Sequence, residues 1–190
     1  MTTLPTTAVD TPEGMEIATL GGGCFWCTEA VFQKLNGVNK VMSGFSGGHV
    51  ADPSYKQVVT GTTGHAEVIQ VAFDPSIVTF EELLAVFFSI HDPTTLNRQG
   101  ADVGPQYRSA IFYHSMEQAQ IAREFIAKLP KEGGFTQPIV TEVTPFANFY
   151  PAEDYHTNYF ELNGTQPYCQ FVVRPKVEKF KKLFGDKLKA

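Results

Sequence analysis

The chain has 190 residues, 43% of them hydrophobic and 18% charged, enough for one globular domain with a sizeable core. Lys and Arg number 15 against 20 Asp and Glu, and the formal net charge of −5 argues against nucleic acid or an anionic membrane surface as a partner. No segment approaches the ~20 apolar residues of a bilayer span, the first 14 residues lack the basic start and apolar run of a signal peptide, and three cysteines suit a reducing compartment better than a disulfide scaffold. A cytoplasmic protein is expected.

Residues 1–14, with Thr, Pro and acidic side chains, read as a flexible arm, and residues 15–190 as one catalytic domain. Residues 15–20 predict a strand and residues 24–35 the helix after it, closed by Asn36-Gly37. Residues 38–45 read as the next strand, followed by a turn-rich excursion over 46–55. Over 67–73, Glu67, Ile69, Val71 and Phe73 alternate with Val68, Gln70 and Ala72, a strand pattern. Thr79 with Glu82 caps a helix to Ser89. The polar stretch 91–106 is long for a loop in a compact domain, and loops of that length tend to carry function. A strand follows over 107–113, then a helix capped by Ser115 with Gln118 that runs to Leu129 and ends at Gly133-Gly134. Residues 139–143 predict a short strand, 152–162 a helix and 170–173 another short strand. Arg174-Pro175 leads into a last helix whose Lys176, Lys179, Lys181 and Lys182, with Lys187 and Lys189 beyond, read as a solvated face opposite Val177, Phe180 and Phe184.

This order predicts an α+β fold: a two-layer sandwich with a ferredoxin-like mixed-sheet core and an irregular C-terminal extension. Two strands joined without a helix make a doubly wound parallel sheet the weaker choice.

The run Gly21-Gly22-Gly23-Cys24-Phe25-Trp26-Cys27 carries the chemistry. A thiol at a helix start meets free backbone N–H groups, which favour the thiolate. Phe25 and Trp26 set an aromatic wall beside it, suited to covalent redox chemistry on a small apolar group. Cys24 and Cys27 also form a C-x-x-C pair, although two bulky rings between the cysteines are unlike a thioredoxin-type dithiol. Cys27 is equally readable as a buried helix residue. Zinc needs further ligands at suitable spacing. Cys169 stands alone and the five histidines show no such spacing, so no metal and no cofactor is expected. Gly64-His65-Ala66-Glu67 places a carboxylate at a strand start, and residues 100–109 place Asp102, Tyr107 and Arg108 at the loop's exit.

Read together, GCFWC at 23–27, PSYKQVVTG with Tyr55, TGHAE at 63–67, HDPTTLNRQGADVGPQYRS at 91–109 and FYPAEDYHTNYF at 149–160 resemble the peptide methionine sulfoxide reductase A family, enzymes that reduce the S epimer of methionine sulfoxide. The resemblance runs from Leu20 to about Phe180. It implies Cys24 as nucleophile and Glu67 as acid. It also implies that Phe25 and Trp26 line the pocket for the substrate methyl, and that Tyr55 and Tyr107 hydrogen-bond the sulfoxide oxygen or its water. Asp102 would lie beside cysteine and substrate, with His156 bracing the pocket. Pro105 stands where many members carry threonine, which leaves these roles unchanged. A sulfoxide oxygen needs a proton before its bond breaks, so Glu67 must stay protonated near neutral pH. From an ordinary pKa of ~4.3, burial against rings and a neighbouring thiolate would push it up.

Resetting the resulting sulfenic acid requires thiols. The resemblance makes Cys169 a candidate resolving cysteine, because its distance from the AEDYH segment matches the family, although the apolar Phe171-Val172-Val173 that follows suggests a buried strand instead of a flexible tail. Direct reduction by an external thiol and resolution by Cys27 stay open. The implied partners are oxidised proteins, free methionine sulfoxide, and thioredoxin, glutaredoxin or small thiols as reductant, with the protein a monomer. Two rival readings are a thiol-disulfide oxidoreductase, which would need Cys27 and not Glu67, and a non-catalytic methionine-binding domain, which would leave Cys24 at an ordinary pKa.

Overall fold

The structure, a computed structural model, describes residues 11–189, so most of the arm expected over 1–14 lies outside the described residues. A six-stranded sheet organises it. Its four inner strands are β1 (Glu16–Gly22), β2 (Val38–Ser46), β3 (Ala66–Phe73) and β6 (Ser109–Tyr113), in the spatial order β6-β1-β3-β2 and antiparallel throughout. This is the ferredoxin-like order expected for strand–helix–strand–strand–helix–strand. β7 (Glu142–Pro145) adds in parallel beside β6, and β8 (Tyr150–Pro151) adds antiparallel beside β2, which makes the sheet mixed.

Period-2 alternation assigns the faces. Ile69, Val71 and Phe73 of β3 join Ala18, Leu20, Val41, Phe45 and Ile111 under the helices, and Glu67 lies in phase with them. Ala66, Val68, Ala110 and Phe112 turn to the other face, covered by Phe146 and Phe149. On the helix side lie α1 (Phe25–Phe32), α3 (Phe80–Ser89), α4 (Met116–Glu132) and α6 (Arg174–Leu183). Phe25, Phe32, Phe45, Phe73, Phe87 and Phe180 are fully buried there, each stabilising the fold by ~1.5–3 kcal/mol relative to exposure. The expected caps form: Thr79 Oγ1 accepts from Glu82 N–H and Ser115 Oγ from Gln118 N–H, each at 3.1 Å. Gly37 closes the α1 unit at φ +93°, where an added Cβ would lie 2.6 Å from Val78.

Four expectations about elements need correction. The polar stretch 91–106 contains a small hairpin, β4 (Arg98–Gln99) with β5 (Asp102–Val103), and a 3-10 turn over Pro105–Tyr107, which delays the next strand to Ser109. The strand expected over 139–143 lies at Glu142–Pro145. The helix expected over 152–162 is broken: a 3-10 turn over Asp154–His156 is followed by α5 (Tyr159–Asn163), because Thr157 is extended and Asn158 takes a left-handed φ of 55° between them. The strand expected over 170–173 is a π-helical turn, Cys169–Val173, continuous with α6. The run Phe171-Val172-Val173 mimics a strand, yet Phe171 is 77% exposed while Cys169, Val173, Val177 and Phe180 share one buried helical stripe. Pro175 accounts for the wide turn. It has no N–H for the Phe171 carbonyl and its ring crowds that carbonyl, so Arg174 N–H bonds five residues back to Cys169.

Candidate active site

β1 ends at Gly22 and the chain turns at Gly23, whose φ of +92° and close approach to Gln99, 2.9 Å from an added Cβ to its Cβ, exclude other residues. Cys24 then sits at the N-cap of α1 in extended conformation. Glu67 reaches under this helix start and its Oε1 accepts from Phe25 N–H at 3.3 Å, satisfying one of the free donors. Its Oε2 is buried with no partner. Burial pushes the Glu67 carboxyl up to about 8, with the Asp102 charge adding and the Phe25 N–H opposing. Glu67 is therefore an acid at neutral pH, as expected, although the charge that adds to burial is that of Asp102 and not a thiolate.

The expected thiolate at Cys24 is overturned for the resting protein. Burial raises its pKa well above that of an ordinary thiol, and the Glu67 charge and Cys27 raise it further; Trp26 N–H and the Tyr168 hydroxyl pull the other way without prevailing. Only 5% of Cys24 is exposed, so lost hydration of the anion outweighs the helix-start donors. Thiol and carboxyl both hold their protons.

Aromatic side chains wall the pair. Phe25 is wholly buried against Phe45, Tyr55 and His156, at ring separations of 5.7, 6.2 and 5.0 Å. Trp26 is half-buried and lies flat on Tyr159 at 3.7 Å and 5°. Its Nε1–H donates to His156 Nδ1 at 2.9 Å. His156 thus braces Trp26, and as an acceptor at Nδ1 it carries its proton on Nε2. Tyr55 opens the short α2 (Tyr55–Val58), pinned by the Ser54–Gln57 capping box and by its N–H donating to Glu153 Oε1 at 3.0 Å. Tyr107 comes from the loop before β6. Burial first raises both phenols beyond the range where they ionise, and an ionised Glu67 or Cys24 would raise them further. Both remain O–H donors. Asp102, half-buried on β5, accepts from the Tyr168 hydroxyl at 2.7 Å.

The fold therefore gathers Cys24, Phe25, Trp26, Tyr55, Glu67, Asp102, Tyr107 and His156. Cys169 is buried one residue beyond Tyr168, where burial raises its thiol and Arg174 opposes. Sequence reading missed Tyr168 and Tyr159, which close the aromatic wall from the C-terminal extension. Their only signal is two tyrosines in a polar stretch beside AEDYH and Cys169. The described residues hold no group of three or more His, Cys, Asp and Glu placed to bind a metal ion.

Residues 16–188 match the family described as peptide methionine sulfoxide reductase. The chain is 58% identical over 175 residues to peptide methionine sulfoxide reductase MsrA of Saccharolobus solfataricus, covering 92% of this chain and 98% of that protein. Methionine sulfoxide reductase A of Corynebacterium diphtheriae superposes with a TM-score of 0.76 at 37% identity, covering 87% of this chain and 85% of the other. Mxr1 from Saccharomyces cerevisiae, solved in complex with Trx2, matches with a TM-score of 0.51 at 28% identity, over 80% and 91%. Sequence and fold agree over nearly the whole chain, and on that agreement it belongs to the peptide methionine sulfoxide reductase family.

Proposed function

We propose that this protein reduces the S epimer of methionine sulfoxide, free and in oxidised proteins, to methionine, with Cys24 as nucleophile and Glu67 as acid. The observation that carries this reading is the Glu67 carboxyl: buried, protonated near neutral pH, with an unpartnered oxygen in the same cluster as the Cys24 thiol.

The Glu67 proton serves the sulfoxide oxygen, held by the Tyr55 and Tyr107 hydroxyls. As the substrate S–O bond breaks, the protonated oxygen bonds to the Cys24 sulfur. The sulfoxide is reduced to a thioether and the thiol oxidised to a sulfenic acid. Ionised Glu67 then accepts the proton Cys24 gives up, so the pair shares its protons through the step. Asp102, through Tyr168, holds the far side of the cluster. Phe25 and Trp26 take the S-methyl group, and a chiral sulfur presents methyl and oxygen in this arrangement from one epimer only. Thiols then reset Cys24. The thioredoxin complex of the yeast relative supports thioredoxin as the reductant, with glutaredoxin or small thiols as its equivalents, in a monomeric protein of the reducing cytoplasm. No helix among the described residues is long and apolar enough to cross a membrane.

Single-turnover release of methionine from separated epimers tests this. The wild type yields one methionine per enzyme from the S epimer and far less from the R epimer. Cys24→Ser yields none while keeping its circular dichroism. Release from Cys24→Ser would sink the nucleophile, and equal turnover of both epimers would sink the pocket geometry.

A further inference from the structure

We propose that Gln106 is a positioning residue for the reductive step: its side-chain amide aims the Tyr107 hydroxyl at the sulfoxide oxygen and ties that hydroxyl to the segment that carries Tyr55. The inference rests on the reduction chemistry above and deepens it by one residue.

Gln106 and Tyr107 are consecutive residues of the 3-10 turn Pro105–Tyr107. Two bonds hold that turn. Tyr107 N–H donates to the Gly104 carbonyl at 3.0 Å, and the Arg108 guanidinium donates to the Pro105 carbonyl at 2.9 Å. Gln106 is buried, at 4% exposure. Its Nε2–H donates to the Val59 carbonyl at 3.2 Å. Val59 is the C-cap of α2, whose first residue is Tyr55. One amide therefore joins the turn that holds Tyr107 to the helix that holds Tyr55, across 47 residues of chain.

The same amide reaches the Tyr107 hydroxyl as a donor. Burial raises that phenol, and the hydrogen bond from Gln106 opposes it. A phenol oxygen accepts as well as donates. With an N–H from Gln106 on its oxygen, the phenol must give its own proton elsewhere, and the sulfoxide oxygen is the acceptor that the reaction brings. Accepting one hydrogen bond also polarises the O–H and strengthens the bond it donates.

The amide has one workable orientation. Turned over, Oε1 would meet the Val59 carbonyl, acceptor against acceptor. Nε2 therefore faces Val59 and the phenol, although Oε1 is then buried with no partner. Two glycines make room for that oxygen. At Gly104, with φ +144°, an added Cβ would collide with Oε1, and at Gly61, with φ +78°, it would touch it at 3.6 Å. Gly61 follows α2 and Gly104 precedes the turn, so both tyrosine-bearing segments are shaped around this one side chain.

A double-mutant cycle with Tyr107 tests the proposal. Gln106→Met keeps the volume and removes the donor. It should slow single-turnover release of methionine from saturating N-acetylmethionine S-sulfoxide about tenfold, the weight of one hydrogen bond. In Tyr107→Phe, which has no hydroxyl to aim, the same substitution should change the rate by less than about twofold. Equal losses in both backgrounds overturn the proposal, because Gln106 would then act through packing alone. An unchanged rate in the Tyr107 background overturns it too. If Gln106→Met loses the wild-type circular dichroism, Gln106→Glu takes its place. Equal in size, it sets an acceptor oxygen where the amide donated and captures the phenol proton. It should slow the Tyr107 enzyme by more than about tenfold and spare Tyr107→Phe. Failure of both variants to fold makes Gln106 part of the architecture and overturns the proposal as well. If wild type releases no methionine at all, the reductase reading itself falls, and that outcome is distinct from normal release with an additive cycle.

Discussion

Two carboxyl groups lie buried on the helix side of the sheet, and their difference separates chemistry from architecture. Glu67 on β3 and Glu29 on α1 are each 1% exposed. Burial is the first cause that raises both, Glu67 to about 8 and Glu29 to about 7. Their oxygens differ. Glu29 accepts from the Ser43 hydroxyl at 3.4 Å and from the backbone N–H groups of Asn158 and Tyr159, which oppose the effect of burial. It ties α1 to the start of α5, and through Tyr159 to the face on which Trp26 stacks. Glu67 meets a single N–H and keeps one oxygen without a partner. A raised pKa therefore does not mark the acid by itself. An unsatisfied oxygen beside the nucleophile does, because an unpaired buried acceptor is costly and here it faces the thiol where a substrate oxygen would bring its own partner.

The strongest break in this comparison is Glu67→Gln. Losing the proton donor should slow single-turnover methionine release ~10–1000-fold, whereas Glu29→Gln, which keeps an acceptor oxygen, should leave it nearly unchanged. Equal losses in the two variants would erase the distinction. The pH profile sharpens it. The protonated form of Glu67 is the active one, so the wild-type rate should be level below pH about 8 and fall above it, and Glu67→Gln should lack that fall.

Stability reverses the order. Glu29→Ala strands the Ser43 hydroxyl and two backbone donors and should cost ~1–3 kcal/mol by urea unfolding, with Glu29→Gln recovering most of it. Full retention of stability by Glu29→Ala would mean the α1–α5 tie is idle.

The dependence of stability on pH tests both carboxyls at once. Both folded pKa values lie above the ~4.3 of an unfolded glutamate. The unfolded chain ionises first and binds fewer protons, so stability falls as pH rises from ~4.3 through about 7 for Glu29 and about 8 for Glu67. Each group contributes at most ~1.4 kcal/mol per pH unit. Each Gln variant should flatten its own part of that slope in denaturation series between pH 4 and pH 9. An unchanged slope would deny that either carboxyl is buried as a neutral acid.

Sequence alone determined what short-range physics writes locally. The glycine turn before Cys24, the Thr79 and Ser115 caps, Gly37 past the end of α1, and the alternation that turns Glu67 toward the helices all depend on neighbours a few residues away. The inner strand order followed from that same succession of elements. What the sequence left to the tertiary structure depends on groups brought together from far along the chain. The Cys24 proton is held by burial under Tyr168 and beside Glu67, the latter 42 residues from Phe25 in the chain and yet bonded to its N–H. Tyr168 meets Asp102 across 66 residues. The segment after Cys169 carries strand-forming residues, but packing on α1 rewards a four-residue stripe over a two-residue one, and Pro175 shapes the turn that results. Local propensity yields wherever burial of an apolar stripe or loss of hydration from a charge is the larger energy.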